Sequence, residues 1–444
     1  MQTPIITPQT NPIELLPSDI RELLFINVTI PISTIKRIAD RFVSNPSTDI
    51  QKLKKILSNN LVAKSEAAIG NPVYQEKLCT KAKTHIAEWN KEFGQVHLKE
   101  VLKISQSLNI PAPGILERSL INPISIEEAL KEYVIGQDEY VSKLSLSFYT
   151  HYLRSYYPDE FINLPQAPIL AFGPTGSGKT YAVQVLSKLF NIPFGIANCN
   201  SLVPEGIVGQ SFSSVFTEIY KNNNKDISRI EKSMILIDEV DKIKDNTINE
   251  LLSITDDNGQ ILFNDTHGNR SYDSIQISTR GIMFVFTGVF DDLRRPVEKR
   301  LNINTVGFST SPNTKKDFCF YEHVILDDFK SVNLKPEILG RIRDAVYVKE
   351  HTEETIAAIL MNSVESPLLS YKNYFEQHGI SLSFDTEGAK AIAELAIEKH
   401  LGARGLKTML WKLLSKEMTN VTKKRNIIIN REYVKKIINY GTAI

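Results

Sequence analysis

Eight consecutive residues constrain this chain more than any bulk property. Gly173, Pro174, Thr175, Gly176, Ser177, Gly178, Lys179 and Thr180 complete the pattern G-x-x-x-x-G-K-S/T. In that pattern the glycines let backbone N–H groups curl around phosphate oxygens, the lysine brings a cation toward the terminal phosphates, and the threonine hydroxyl is placed to ligate Mg²⁺. The flanking residues agree with it. Ile169 to Phe172 is a short apolar run that reads as a buried strand, and Tyr181 to Phe190 carries apolar residues at helical spacing. Strand, glycine loop and helix are what a phosphate cradle needs, and an incidental glycine turn is the weaker reading.

A second apolar run, Met234 to Ile237, ends in Asp238 and Glu239. A buried strand of this kind delivers its carboxylates to the sheet edge where phosphates lie. Asp238 would hold Mg²⁺ through water alongside Thr180, and Glu239 would orient and polarise an attacking water. The following apolar run, Ile282 to Phe286, ends at Thr287, whose hydroxyl falls where it could touch that water or the terminal phosphate.

The 444 residues, 42% of them hydrophobic, are enough for about three globular domains. With 52 basic and 51 acidic residues the net charge is +1, so no overall excess draws the chain to nucleic acid or an anionic membrane. The opening MQTPIITPQTNP has neither a basic nor an apolar leader region, and no apolar run reaches membrane-spanning length; a soluble, cytoplasmic protein is expected. Cys79, Cys199 and Cys319 are too few and too scattered for a disulfide framework or a four-ligand zinc site.

Residues 1–122 alternate helical patterns with breaks at Asn45 and Pro46, Gly70 to Pro72 and Pro111 to Gly114, and read as a separate helical domain of unknown role. Ser125 to Glu128 fits a capping box that opens a helix through Glu132, at the start of a second domain, 123–351. There, strands at Pro193 to Ala197, Met234 to Ile237, Ile282 to Thr287 and Ala345 to Val348 alternate with helices, the signature of a mostly parallel sheet in an α/β fold. Residues 352–444 are largely helical, with short strands at Ile380 to Phe384 and Ile427 to Ile429, and form a small C-terminal domain.

Five motifs then occur in order: Tyr133-Val-Ile-Gly-Gln137, the phosphate loop, Ile237-Asp-Glu-Val-Asp-Lys-Ile243, Pro336-Glu-Ile-Leu-Gly-Arg341 and Gly402-Ala-Arg-Gly-Leu406. From about Ile126 to the C-terminus the chain resembles the AAA+ unfoldases of the ClpX and HslU group. The resemblance implies an AAA+ P-loop sheet, ATP as the nucleotide with Val134 and Ile135 packed around its adenine, and a homohexamer acting on protein substrates. Arg341 matches the arginine finger that reaches a neighbour's nucleotide, where a guanidinium stabilises the transferring phosphoryl group. Arg404 matches the sensor arginine of the small domain. Glu239, Arg341 and Thr287 are therefore the expected catalytic set, with no peptidase site in the chain itself.

Gly206-Ile-Val-Gly209 falls where the family carries its pore loop, so Ile207 and Val208 are expected to grip substrate. Ile207 stands where the family has Tyr and offers less contact area, which predicts a weaker or altered grip. His267 to Arg270 only faintly resembles the family's basic pore loop. Val306, Gly307 and Phe308 lie where ClpX displays the loop that docks on the ClpP peptidase. The N-terminal stretch departs from ClpX, whose four-cysteine zinc domain has no counterpart around the single Cys79. Three other readings stay open: a protease-independent remodeller, a nucleotide-switched scaffold, and a DNA-directed motor drawing on Lys423, Lys424, Arg425, Arg431, Lys435 and Lys436. Nucleic acid is the weakest of the partners considered.

Overall fold

The computed structural model describes residues 11–44, 49–203, 209–265, 273–302, 319–332, 334–399, 401–420 and 426–441. The chain forms two compact units. The first comprises Met1–Ile126 together with Leu186–Pro193 and Tyr220–Ile230, and the second comprises the remaining stretches.

In the first unit, helices Ser18–Ile26, Ile32–Ser44, Ile50–Ala68, Pro72–Phe93 and Leu98–Leu108 follow one another through short breaks. The caps explain where they start. Asp49 accepts from Lys52 N at 3.0 Å and Asn71 accepts from Tyr74 N at 3.0 Å, with Pro72 at the first helical position where a missing N–H costs nothing. Phe25 and Trp89 meet edge to face at 4.8 Å, and His85 lies against both rings in the buried centre.

The helix Pro123–Lys131 corrects the expected capping box. Asn122, not Ser125, is the cap: its Oδ1 accepts from Ser125 N at 2.9 Å, while Ser125 Oγ accepts from Asn122 N at 3.0 Å. Pro123 moves the start three residues earlier, because its fixed φ suits the first helical position and leaves the residue before it as the cap.

The second unit is built on five parallel strands: β1 (Ile169–Phe172), β2 (Phe194–Asn198), β3 (Met234–Asp238), β6 (Met283–Gly288) and β7 (Asp344–Tyr347), in the order β2-β3-β6-β1-β7. The three central strands are apolar up to their C-terminal ends because helices cover both faces of such a sheet, and β1 and β6 are buried at every position. The register sets the site. Phe172 pairs with Gly288, Ala171 with Thr287 and Asn198 with Asp238, so the ends of β1, β3 and β6 reach the same sheet edge. Gly173 N donates to Gly288 O at 3.2 Å and carries the pairing one residue into the phosphate loop.

An antiparallel hairpin, β4 (Gln260–Asp265) and β5 (Asp273–Ser278), was not anticipated. Its inner residue Phe263 stacks on Phe216 of helix Phe212–Asn222, while Leu262 faces solvent. After β7 come helices Glu353–Asn362, Pro367–Gln377, Thr386–Glu398, Gly405–Met418 and Arg431–Gly441, with a parallel pair, β8 (Ser381–Phe384) and β9 (Asn426–Ile429). Both strands alternate exposed and buried residues, and Leu382, Phe384, Ile427 and Ile429 join Ile356, Phe375, Ile392 and Leu410 in one core. Among the described residues, no helix is long and apolar enough to cross a membrane.

Candidate active site

The phosphate loop leaves β1 through Gly173, at φ 139°, where a Cβ would run into Val348 O, so no other residue fits. Lys179 opens helix Lys179–Phe190 and is only 8% exposed. Its Nζ donates to Gly173 O at 2.6 Å and Pro174 O at 2.7 Å, so the loop's own carbonyls hold the ammonium group. Burial pushes the Lys179 pKa down to about 8; the Arg404 charge acts in the same sense, and Asp238, Asp241 and Asp291 oppose it. From the other side, Tyr140 Oη donates to Lys179 O at 2.8 Å.

Asp238, the last residue of β3, is the hub of the polar contacts. Its Oδ1 accepts from Thr287 Oγ1 at 2.6 Å and from Glu239 N at 3.0 Å, and Thr180 Oγ1 lies 3.4 Å from its Oδ2. Thr287 is fully buried at the end of β6, so this carboxylate takes up a hydroxyl that has no access to water. Glu239 turns the chain out of the strand in the left-handed region, at φ 55°, and its carboxylate lies 3.3 Å from Lys242 Nζ. Phosphate loop, Asp238, Glu239 and Thr287 are thus gathered at one edge.

Above that edge is a cavity of about 330 Å³. Thr175 to Tyr181 form its floor, Val134, Ile135 and Ile359 an apolar wall, and Arg404 reaches it from the short turn Gly402–Arg404. A floor of backbone amides beside an apolar slot suits a phosphorylated group joined to a flat ring. His351 also lines this cavity and had no signal in the sequence: its Nδ1 is buried with no hydrogen-bond partner among the described residues, and burial lowers its pKa. Gln137, the last residue of the Tyr133–Gln137 motif, also belongs to the site: its side-chain amide donates to Ser177 O of the phosphate loop at 3.1 Å.

Arg341 is not brought into the cavity. Its guanidinium pairs with Asp256 at 2.8 Å, in a shallow depression shared with Asn249, Ser253 and Gln260. Asp256 is held below the usual carboxylate range by its bond from Asn258 N and by Arg341. Ile207 and Val208 lie outside the described residues, as do His267 to Arg270, Val306, Gly307, Phe308, and Lys423 to Arg425; the chain on either side of 204–208 pairs as Leu202 with Gln210. Arg431 of the basic cluster is ion-paired with Glu387 and Glu394.

A parallel sheet in this order, with the phosphate loop leaving β1 and the acidic end of β3 one strand away across β6, defines a P-loop ATPase of the AAA+ class. Residues 164–345 match the AAA domain (Cdc48 subfamily) family, and 352–433 match the C-terminal, D2-small domain of ClpB protein. The chain is 31% identical over 337 residues to the ATP-dependent Clp protease ATP-binding subunit ClpX of Treponema denticola, covering 70% of this chain and 81% of that protein. It is 28% identical over 349 residues to the protein of the same name from Porphyromonas gingivalis, covering 73% and 84%. The chain belongs to the ClpX family of AAA+ proteins, and is an ATP-dependent protein unfoldase.

Proposed function

We propose that the chain works as a homohexamer that hydrolyses ATP at sites shared between subunits and pulls polypeptide through its centre. The observation that carries this reading is the gathering of Lys179, Thr180, Asp238 and Thr287 beneath one cavity, while Arg341 is held outside it. ATP would lie with its phosphates over Thr175 to Thr180 and its base against Val134 and Ile135. Thr180 and Asp238 would hold Mg²⁺, an ion that usually takes one or two protein oxygens and otherwise binds substrate phosphates and water; two such oxygens 3.4 Å apart fit it. Bound there, it would offset negative charge on the phosphates.

Within this chain, Glu239 polarises the attacking water, Thr287 steadies the Asp238 carboxylate, and Lys179 exchanges its carbonyl partners for phosphate oxygens. Arg404 adds a second cation from the C-terminal part, so that residues 123–351 form the large ATPase domain and 352–444 the small one. Arg341, paired with Asp256 outside its own cavity, would complete a neighbour's site. Ile207 and Val208 would grip the substrate, and Val306, Gly307 and Phe308 would dock a ClpP-type peptidase, a partner suggested by the relatives' name as subunits of Clp protease.

The test is loss of fluorescence from a tagged, folded reporter, with ATP, with and without a ClpP-type peptidase. Loss that needs the peptidase supports a protease subunit, and loss without it supports a free-standing remodeller. Glu239→Gln should stop hydrolysis and leave ATP binding intact. An unchanged ATPase rate in that variant would overturn the catalytic assignment.

A further inference from the structure

Gln137 is 4% exposed, and its side-chain amide is almost wholly committed. Nε2 donates to Ser177 O at 3.1 Å in the phosphate loop and to Lys349 O at 2.8 Å, while Oε1 accepts from Lys349 N at 3.0 Å. A carboxamide has two N–H donors, and both are used. One end of the contact is the floor of the cavity, and the other is the connection that runs from β7 to helix Glu353–Asn362.

The residues just before Gln137 are anchored on the far side of that connection. Val364 N donates to Glu132 O at 3.1 Å, and Ser363 Oγ donates to Tyr133 O at 3.2 Å. Gly136, at φ 78°, passes so near Thr355 that a Cβ would collide with its methyl group. Between these anchors Val134 and Ile135 form the apolar cavity wall. Six residues therefore touch the phosphate loop, the connection and the C-terminal helices at once.

We propose that Gln137 is a positioning residue that ties the phosphate loop to the Lys349–Thr355 connection, so that closure of the loop on phosphates is passed to the C-terminal helices. The proposal rests on the reading of the cavity as an ATP site. Its physical basis is the cost of leaving buried donors unpaired: if the loop or the connection shifts alone, Nε2 loses a partner that water does not replace. Moving both together keeps every bond.

The experiment uses the full chain with spin labels at the exposed positions Leu146 and Trp411, in a background lacking Cys79, Cys199 and Cys319. Gln137→Met keeps the side chain's length and removes all three bonds, whereas Gln137→Glu keeps only the acceptor toward Lys349 N. In the unsubstituted protein, a fluorescent ATP analogue should bind and change the label distance. Gln137→Met should bind it about tenfold more weakly, as expected for a lost buried hydrogen bond. Even at saturation its label distance should stay at the nucleotide-free value. If Gln137→Met does not fold, Gln137→Glu is read by the same criterion. A folded variant with unchanged affinity and the full distance change overturns the proposal, as does an unsubstituted protein that binds without any distance change. Failure of the unsubstituted protein to bind the analogue would instead sink the ATP-site reading.

Discussion

Thr287 and Asp238 show how much a single hydroxyl can fix. The 2.6 Å bond between them comes from a fully buried hydroxyl, so the Asp238 carboxylate keeps one orientation with its other oxygen turned toward Thr180. Thr287→Val keeps the branched shape and removes the donor. It should lower kcat roughly tenfold or more, the scale of one lost charge-assisted hydrogen bond, and leave nucleotide affinity nearly unchanged. Thr287→Ser should recover most of the rate; steady-state kinetics beside equilibrium binding checks both. The phosphate loop was legible because its chemistry is complete within eight residues. Thr287 was legible because strand ends of a parallel sheet share an edge. The partners of Gln137 and Arg341 were not, since Lys349 lies 212 residues from the first and Asp256 lies 85 from the second. No local pattern encodes such pairs.

At the level of elements, polar residues inside the N-terminal helices carry a cost that depends on pH. His85 lies against the rings of Phe25 and Trp89, and burial holds its pKa down at about 4, against 6.5 for an ordinary histidine. The unfolded chain therefore takes up a proton that the folded helices refuse between those values. Stability is full above about pH 6.5 and is lost as pH falls toward 4, by roughly 3 kcal/mol at the lower limit. Melts followed by Trp89 emission in a Trp411→Phe background should show this loss, and His85→Phe should flatten it. The helix breaks were readable from Pro, Gly and Asn, yet the cap at Asn122 was misplaced, because Ser125 satisfies the same pattern three residues on and only the reciprocal bonds decide between them. The β4–β5 hairpin went unread because its single-faced alternation is short and mixed with polar residues, whereas the continuous apolar run of β3 carried an unambiguous signal.

The whole molecule raises the question of which subunit Arg341 serves. If the finger acts across an interface, Glu239→Gln and Arg341→Ala chains, each inactive alone, should regain ATPase activity when co-assembled. A site with an intact Glu239 would then face an intact Arg341 from the other variant. Activity measured across mixing ratios should peak near equal amounts, and a flat, inactive profile would place the finger's action within its own chain. The first compact unit has a different large-scale property, being assembled from Met1–Ile126 and from two stretches embedded far downstream, Leu186–Pro193 and Tyr220–Ile230. In hereditary terms this front end is not a cassette. One crossover near residue 126 would separate the N-terminal helices from the two downstream stretches grouped with them.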